Sequence, residues 1–275
     1  MEANPYGVAA LQLCATADKD ANLAVIEELA GRAAARGARL VVAPEVCLWR
    51  GPQAQEPQIA EPIPGDSSAR LSTIAARFAI HFVAGSILER GPDGRCYNTS
   101  LLFAPDGSLR ASYRKIHLFD VDISAEVSVR ESDTRIAGDT PVLAATELGA
   151  IGMSICYDLR FPELYRELAR AGAQILVVPS AFTLTTGAAH WEVLLRARAI
   201  ENQCYVIAAN QYGAGMAGIT NYGNSMIVDP WGTVIARAGS DRNEVLVAEV
   251  DPSHLARVRT MLPALKHVRL AAGGA

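Results

Sequence analysis

The sequence predicts a layered α/β protein whose sheets are covered on both faces. Three observations carry that prediction. Apolar runs of strand length alternate with stretches whose apolar residues fall at helical spacing. Many of the strand-like runs are apolar throughout rather than alternating, as strands buried between layers are. An Asp106-Gly107 hairpin signal lies between two of those runs, so the sheets should be mixed rather than purely parallel.

In chain order, "GVAALQLC" is the first strand-like run. It precedes residues 22–36, where Leu23, Ile26 and Ala30 share a helical face and Gly37 supplies the stop. "RLVVAPE" then reads as a short buried strand ending at Glu45. Residues 67–79 should form a second helix, capped by Asp66 or Ser67. "IHFVAGSILE" and "NTSLLFAPDGSLRASYRK" follow as strands, the latter folded at Asp106-Gly107.

The second half repeats this grammar. Strand "AIGMSIC", helix 162–171, strand "AQILVVPSAF", helix 189–202 and strand "CYVIAANQ" succeed one another. The chain closes with "NSMIVDPWGTVIARA" and "EVLVAEV", read as strand pairs around Pro-Trp-Gly. No stretch reads as a linker, so residues 1–275 should form one domain, with residues about 252–275 as a C-terminal tail.

Half of the residues are hydrophobic and a fifth charged, ample for a packed core. The net charge of -4 gives no reason to expect a nucleic acid or an acidic membrane surface as partner. Apolar runs such as "ILVVP" are far too short to span a bilayer. The N-terminus carries Glu2 and no basic segment, so it does not read as a signal peptide. Five scattered cysteines, at 14, 47, 96, 156 and 204, make a poor disulfide framework and show no C-x-x-C zinc spacing. A cytoplasmic setting is expected.

Two chemistry-bearing residues close apolar runs, Glu45 in "LVVAPE" and Cys156 in "IGMSIC". Strand ends are where covered α/β sheets bind ligands. A carboxylate there can serve as a base, and a thiol as a nucleophile. Equally, Glu45 could turn out to solvent, and Cys156 could be a small buried filler. Lys115, after "LRASY", is either a solvated edge charge or a cation placed to stabilise an oxyanion. The usual partner of a catalytic thiol is histidine. His81 lies inside an apolar strand, and His254 and His267 lie in the charged tail. That leaves His117 and His190, each in a polar loop, for a weak papain-like pairing.

Three segments, "VVAPE", "YRKIHLFD" and "ICYDLRFPELYRELARAGAQILVVPSAF", occur in an order that resembles the nitrilase superfamily of carbon–nitrogen hydrolases. The resemblance extends through "HWEVLLRARAIENQCYVIAANQ" and "YGNSMIVDPWGTVIARA". Within it the chain is similar to the amidase branch that includes omega-amidases and deaminated glutathione amidases. Tyr157-Asp158 follows the cysteine where true nitrilases carry Trp-Glu, which argues against nitriles as the main substrate.

The resemblance implies a four-layer α–β–β–α sandwich, usually dimeric, with no metal and no cofactor. It implies Cys156 as nucleophile, Glu45 as base, and Lys115 with the Tyr157 N–H as oxyanion holders. Glu131, in "SVRESD", would position Lys115. Arg160 would bind a substrate carboxylate, or else form a structural ion pair with Asp158 or Glu163. Phe182 and Thr186 would line the same pocket. The expected substrate is a small-molecule amide bearing a carboxylate, with deaminated glutathione leading. 2-Oxoglutaramate and then N-carbamoyl amines are the alternatives. A non-catalytic binding or scaffolding member is the competing class. The loop "VCLWRGPQAQEP" departs from the branch, and Trp49 and Arg50 in it are expected to border the pocket.

Overall fold

The computed structural model describes residues 4–122, 128–215 and 218–270. In chain order the first half runs β1 (Tyr6–Gln12), α1 (Lys19–Ala35), β2 (Ala38–Val42), a short α2 (Glu56–Ile59) and α3 (Asp66–Phe78). Then come β3 (His81–Val83), β4 (Ile87–Arg90), β5 (Cys96–Phe103) and β6 (Leu109–Arg114), followed by a small ribbon of β7 (Asp120–Asp122) and β8 (Ser128–Arg130). The second half begins with β9 (Leu143–Thr146), β10 (Gly149–Met153), α4 (Pro162–Arg170), β11 (Ile175–Val177) and α5 (Leu184–Asn202). It continues with β12 (Tyr205–Ala208), a ribbon of β13 (Tyr212–Ala214) and β14 (Thr220–Tyr222), β15 (Met226–Val228) and β16 (Val234–Arg237). β17 (Glu244–Val250) and α6 (Pro252–Met261) complete it.

Two mixed sheets result. One has the order β17-β1-β2-β3-β5-β4 with β6 paired to β5; the other has the order β16-β15-β12-β11-β10-β9. The two faces of β1 explain the layering. Val8 and Ala10 enter a core shared with Ile151, Met153, Leu176 and Val206 of the second sheet. Ala9 and Leu11 enter a separate core with Ile26 and Leu29 of α1 and Leu71 and Ile74 of α3. On the far side, α5 supplies Trp191 and Leu195, and α4 supplies Leu164 and Leu168. The arrangement is the four-layer α–β–β–α sandwich in a single domain.

Local chemistry refines several boundaries. Asp18 caps α1 by accepting from the Ala21 N–H at 3.0 Å. The cap of α3 is Gly65, one residue before the two expected; its N–H donates to Ser68 Oγ at 2.8 Å. "IHFVAGSILE" runs along β5 as one line broken at Gly85, whose φ is 59°. α5 begins at Leu184 rather than 189, because Thr183 Oγ1 caps it by accepting from the Thr186 N–H. Gly187, which looks like a loop glycine, lies inside that helix; a Cβ there would sit 2.4 Å from the Tyr222 ring. β15 and β16 pair around Pro230-Trp231-Gly232, but β17 crosses to the other sheet and pairs antiparallel with β1. Among the described residues no helix is long and apolar enough to cross a membrane.

Candidate active site

The break at Gly85 shapes the end of β2. A Cβ at Gly85 would lie 1.8 Å from the Pro44 carbonyl oxygen, so only glycine lets the two segments approach. Ser86 then holds the chain beyond Glu45: its Oγ accepts from the Val46 N–H at 2.8 Å and its carbonyl from the Cys47 N–H at 3.2 Å. Val46 has φ 45°, a conformation β-branched residues rarely adopt. That turn sends the Glu45 side chain inward instead of along the strand, and Gln211 Nε2 fixes the Glu45 carbonyl at 3.0 Å.

Glu45 is buried, as are Lys115 and Glu131. Lys115 Nζ donates to Glu45 Oε1 at 2.9 Å and to Glu131 Oε2 at 2.8 Å. Asn98 Nδ2 donates to the same Glu45 oxygen at 2.8 Å. Glu131 Oε2 also accepts from the Phe119 N–H at 2.8 Å, while Oε1 accepts from Arg135. Arg135 in turn makes a bidentate pair with Glu56, at 2.9 and 2.6 Å. Burial opposes the charge on Lys115, but Glu131 and Glu45 outweigh it and hold the ammonium well above the ordinary lysine range. Burial likewise opposes the charge on Glu131, and Lys115 and Arg135 outweigh it, holding the carboxyl down at about 2. The ammonium is therefore a fixed, fully charged group with two carboxylates locked on it.

Cys156 follows β10 at a sharp elbow and also lies in the left-handed region, with φ 49°. Its N–H donates to the Pro179 carbonyl at 2.8 Å. Asp158, fully buried, staples the elbow. It accepts from the Ile155 N–H at 2.8 Å and the Tyr113 hydroxyl at 2.7 Å on Oδ2, and from the His117 N–H at 3.1 Å on Oδ1. Burial pushes the Cys156 thiol well above the ordinary cysteine range; Glu45 adds to this and Lys115 opposes it. A resting thiol beside a carboxylate is set up to lose its proton as it attacks rather than beforehand.

Glu45, Lys115, Glu131 and Cys156 line one cavity, together with Tyr157, Arg160, Phe182 and Thr186, so the structure brings together the eight residues to which the resemblance gives a catalytic or binding role. Neither candidate histidine reaches the thiol. His117 Nδ1 is held by Asp158 at 2.7 Å with its ring stacked on Phe161 at 3.7 Å. His190 lies in α5 rather than in a loop, 3.3 Å from Arg160. Arg160 makes no ion pair with Asp158 or Glu163 among the described residues; Asp158 is already satisfied by the elbow and the lysine loop. Its guanidinium instead lies over the Tyr157 and Phe182 rings, at 5.8 and 5.2 Å from their centroids.

Trp49 does not reach this cavity: it turns into a cluster with Val46, Ala60, Leu88 and Cys96, whereas Arg50 does line it. Sequence reasoning missed Asn98, Arg135 and Glu56, whose roles depend on distant partners. It also missed Asn221, a cavity-lining residue. Its side-chain amide is buried and makes no hydrogen bond among the described residues, leaving a donor and an acceptor for a ligand.

The family model of carbon–nitrogen hydrolases matches residues 7–260. The chain is 43% identical over 267 residues to a deaminated glutathione amidase of Synechocystis, covering 96% of this chain and 98% of that one. It is 41% identical over 264 residues to the omega-amidase NIT2 of Mus musculus, covering 96% and 95% of the two chains. Saccharomyces cerevisiae Nit3, a member of the nitrilase superfamily, superimposes with a TM-score of 0.88 at 35% identity over 98% of each chain.

Proposed function

Because the chain belongs to the carbon–nitrogen hydrolase family, we propose that this cavity is the active site of a cysteine amidase acting on a carboxylate-bearing amide, foremost deaminated glutathione. The observation that carries the reading is the ammonium of Lys115, locked between Glu45 and Glu131 in the cavity that holds Cys156. In the reaction Cys156 Sγ attacks the amide carbon as its proton passes to Glu45. Lys115 Nζ and the Tyr157 N–H receive the negative charge that develops on the carbonyl oxygen. Collapse breaks the C–N bond, and the proton held by Glu45 goes to the departing nitrogen. Water then attacks the thioester while Glu45 takes its proton and returns one to sulfur, releasing the acid and the free thiol.

Glu131 positions the lysine, and Asp158, through the elbow, the thiol. Arg160 suits the acyl-side carboxylate, since a planar guanidinium can bind it with two parallel hydrogen bonds. Phe182 and Thr186 shape the wall beside it, and Asn221 can meet a carbonyl or carboxylate oxygen there. A cytoplasmic homodimer belongs to the same proposal. Val193 and Ile200 share an exposed face of α5, and Ile200 lies against Gly232, next to exposed Trp231; this is apolar surface that a second copy would cover. A monomer mass by sedimentation equilibrium would remove the dimer from the reading.

The test is product release from deaminated glutathione, 2-oxoglutaramate, an N-carbamoyl-β-amino acid and an aliphatic amide, with Cys156→Ala as the blank. Deaminated glutathione should lead by about tenfold or more in kcat/KM, equivalent to about 1.4 kcal/mol in the transition state. A lead for 2-oxoglutaramate would make the protein an omega-amidase. Full activity in folded Cys156→Ala would overturn the thiol mechanism.

A further inference from the structure

The cavity wall has two banks, one from each sheet. On the bank of the first sheet, Lys115 and Arg135 share the three carboxylates of Glu45, Glu131 and Glu56. Two more guanidiniums line the cavity, those of Arg160 and Arg50, and among the described residues neither is ion-paired with a carboxylate. Arg160 belongs to the bank of the second sheet, over Phe182 at 5.2 Å, where Asn221 bridges to Thr183.

Arg50 belongs to the opposite bank, in the loop after Glu45, and its placement is built. Its N–H donates to the Thr16 carbonyl at 2.8 Å, and the Leu48 carbonyl accepts from Asn22 Nδ2 at 2.8 Å. Trp49 is sequestered in its own apolar cluster, and a Cβ on Gly51 would lie 2.3 Å from its ring. With Trp49 turned out and the backbone pinned on both sides, the Arg50 side chain is directed to the cavity. Its Nε is buried and makes no hydrogen bond among the described residues. Burial pulls its pKa below the ordinary arginine value, with Glu45 opposing that and Arg135 adding to it. A guanidinium whose Nε is buried, and which pairs with no acid among the described residues, is unfavourable unless something anionic arrives to meet it. This one occurs in a chain whose net charge is -4.

Direction follows from Glu45. The residue that hands a proton to the departing nitrogen lies on the same bank as Arg50, so the leaving amine departs toward that bank. We propose that Arg50 is a second anion-binding subsite, holding a carboxylate on the leaving-amine side of the scissile bond while Arg160 holds the one on the acyl side. The substrate class is then a dianionic amide, an acid joined to an amino acid or short peptide, in preference to a primary amide that releases ammonia. This rests on the amidase reading above and narrows it.

The test uses a matched pair, deaminated glutathione and its C-terminal amide, which differ only in the charge at the leaving end. 2-Oxoglutaramate is run alongside as the reference for amidase activity. The wild-type enzyme should favour the acid over the amide by about tenfold or more in kcat/KM. Arg50→Gln should collapse that ratio to below about threefold, chiefly through KM for the acid, and Arg50→Lys should keep part of it. Both rates come from one enzyme sample, so the ratio does not depend on how much of the variant is folded. A wild-type enzyme that treats the pair alike, or an Arg50→Gln variant that keeps the preference, overturns the subsite. If 2-oxoglutaramate is hydrolysed in that case, the amidase reading survives alone. If no amide is hydrolysed, both fall.

Discussion

Glu131→Gln removes one charge from the locked cluster while keeping the shape of the side chain. Glu131 accepts three hydrogen bonds: from Lys115 Nζ at 2.8 Å, from the Phe119 N–H at 2.8 Å, and from Arg135. A glutamine keeps one acceptor oxygen and turns an NH2 toward the other partners. If its oxygen serves Lys115 and Phe119, the NH2 meets the Arg135 guanidinium, donor against donor; the flipped amide meets Lys115 in the same way. Breaking a buried pair by removing one partner costs about 3–5 kcal/mol. Lys115 retains Glu45 and Arg135 retains Glu56, so the lower end, about 3 kcal/mol, is expected. Losing an oxyanion donor costs about 100- to 1000-fold in kcat; a lysine that is loosened rather than removed should cost about 30- to 100-fold.

The pH dependence supplies a sign. The folded-state pKa of Glu131 lies below its ordinary value of 4.5, at about 2. Its contribution to stability is therefore complete above the ordinary value and is lost as pH falls toward 2. Glutamine has nothing to lose in that window, so the stability gap between wild type and variant should narrow as pH falls through it. Urea unfolding across that range, with kcat measured near neutrality, reads both quantities. A variant within about 1 kcal/mol of wild type at neutral pH, or a gap that stays constant with acid, would refute the reasoning.

Arg160→Lys should raise KM for carboxylate-bearing amides by about tenfold while changing a neutral amide much less, because an ammonium cannot reproduce the guanidinium fork. Equal effects on both substrates in steady-state assays would return Arg160 to a purely structural role. Alkylation of Cys156 by iodoacetamide should depend weakly on pH around neutrality. Burial holds its thiol protonated and Glu45 takes the proton during attack, whereas a free thiol reacts about tenfold faster per pH unit below its pKa. Peptide-resolved mass spectrometry showing a tenfold rise per unit at Cys156 would remove Glu45 as the base.

What could be read from the sequence follows from how far apart the cooperating residues lie along the chain. Glu45 and Cys156 were legible because each stops an apolar run, and a charged or nucleophilic group at the end of a buried strand has nowhere to go but the edge of the sheet. The layers were legible for a related reason, since β1 is apolar at Val8 and Ala10 and equally at Ala9 and Leu11. Arg135 and Glu56 drew no attention in the sequence because the pair that buries them spans 79 residues. Arg50 was legible as a pocket residue from the departing loop after Glu45, whereas Asn221, in the short strand β14, carried no signal, because only its surroundings decide that it faces inward. The early start of α5 was hidden by Gly187, which suggests a loop but answers to the Tyr222 ring.

The two reacting side chains owe their direction to backbone that neither strand nor helix provides. Val46 and Cys156 both adopt left-handed conformations, at φ 45° and 49°, one just after the base and the other at the nucleophile. Each costs about 1–3 kcal/mol for a residue with a side chain, so each persists only where its surroundings over-determine it. Around Val46 those surroundings are Ser86, Gln211 and the close approach of Gly85 to Pro44. Around Cys156 they are the Pro179 carbonyl and the buried Asp158. Asp158 is also bonded to Tyr113 and His117, which flank Lys115 in sequence, so the contacts that hold the thiol elbow also fix the lysine loop. Glu45 is tied to that same lysine. The strain at the two elbows is therefore offset by one connected set of hydrogen bonds, and a substitution anywhere in it should misplace base, cation and thiol together rather than one at a time.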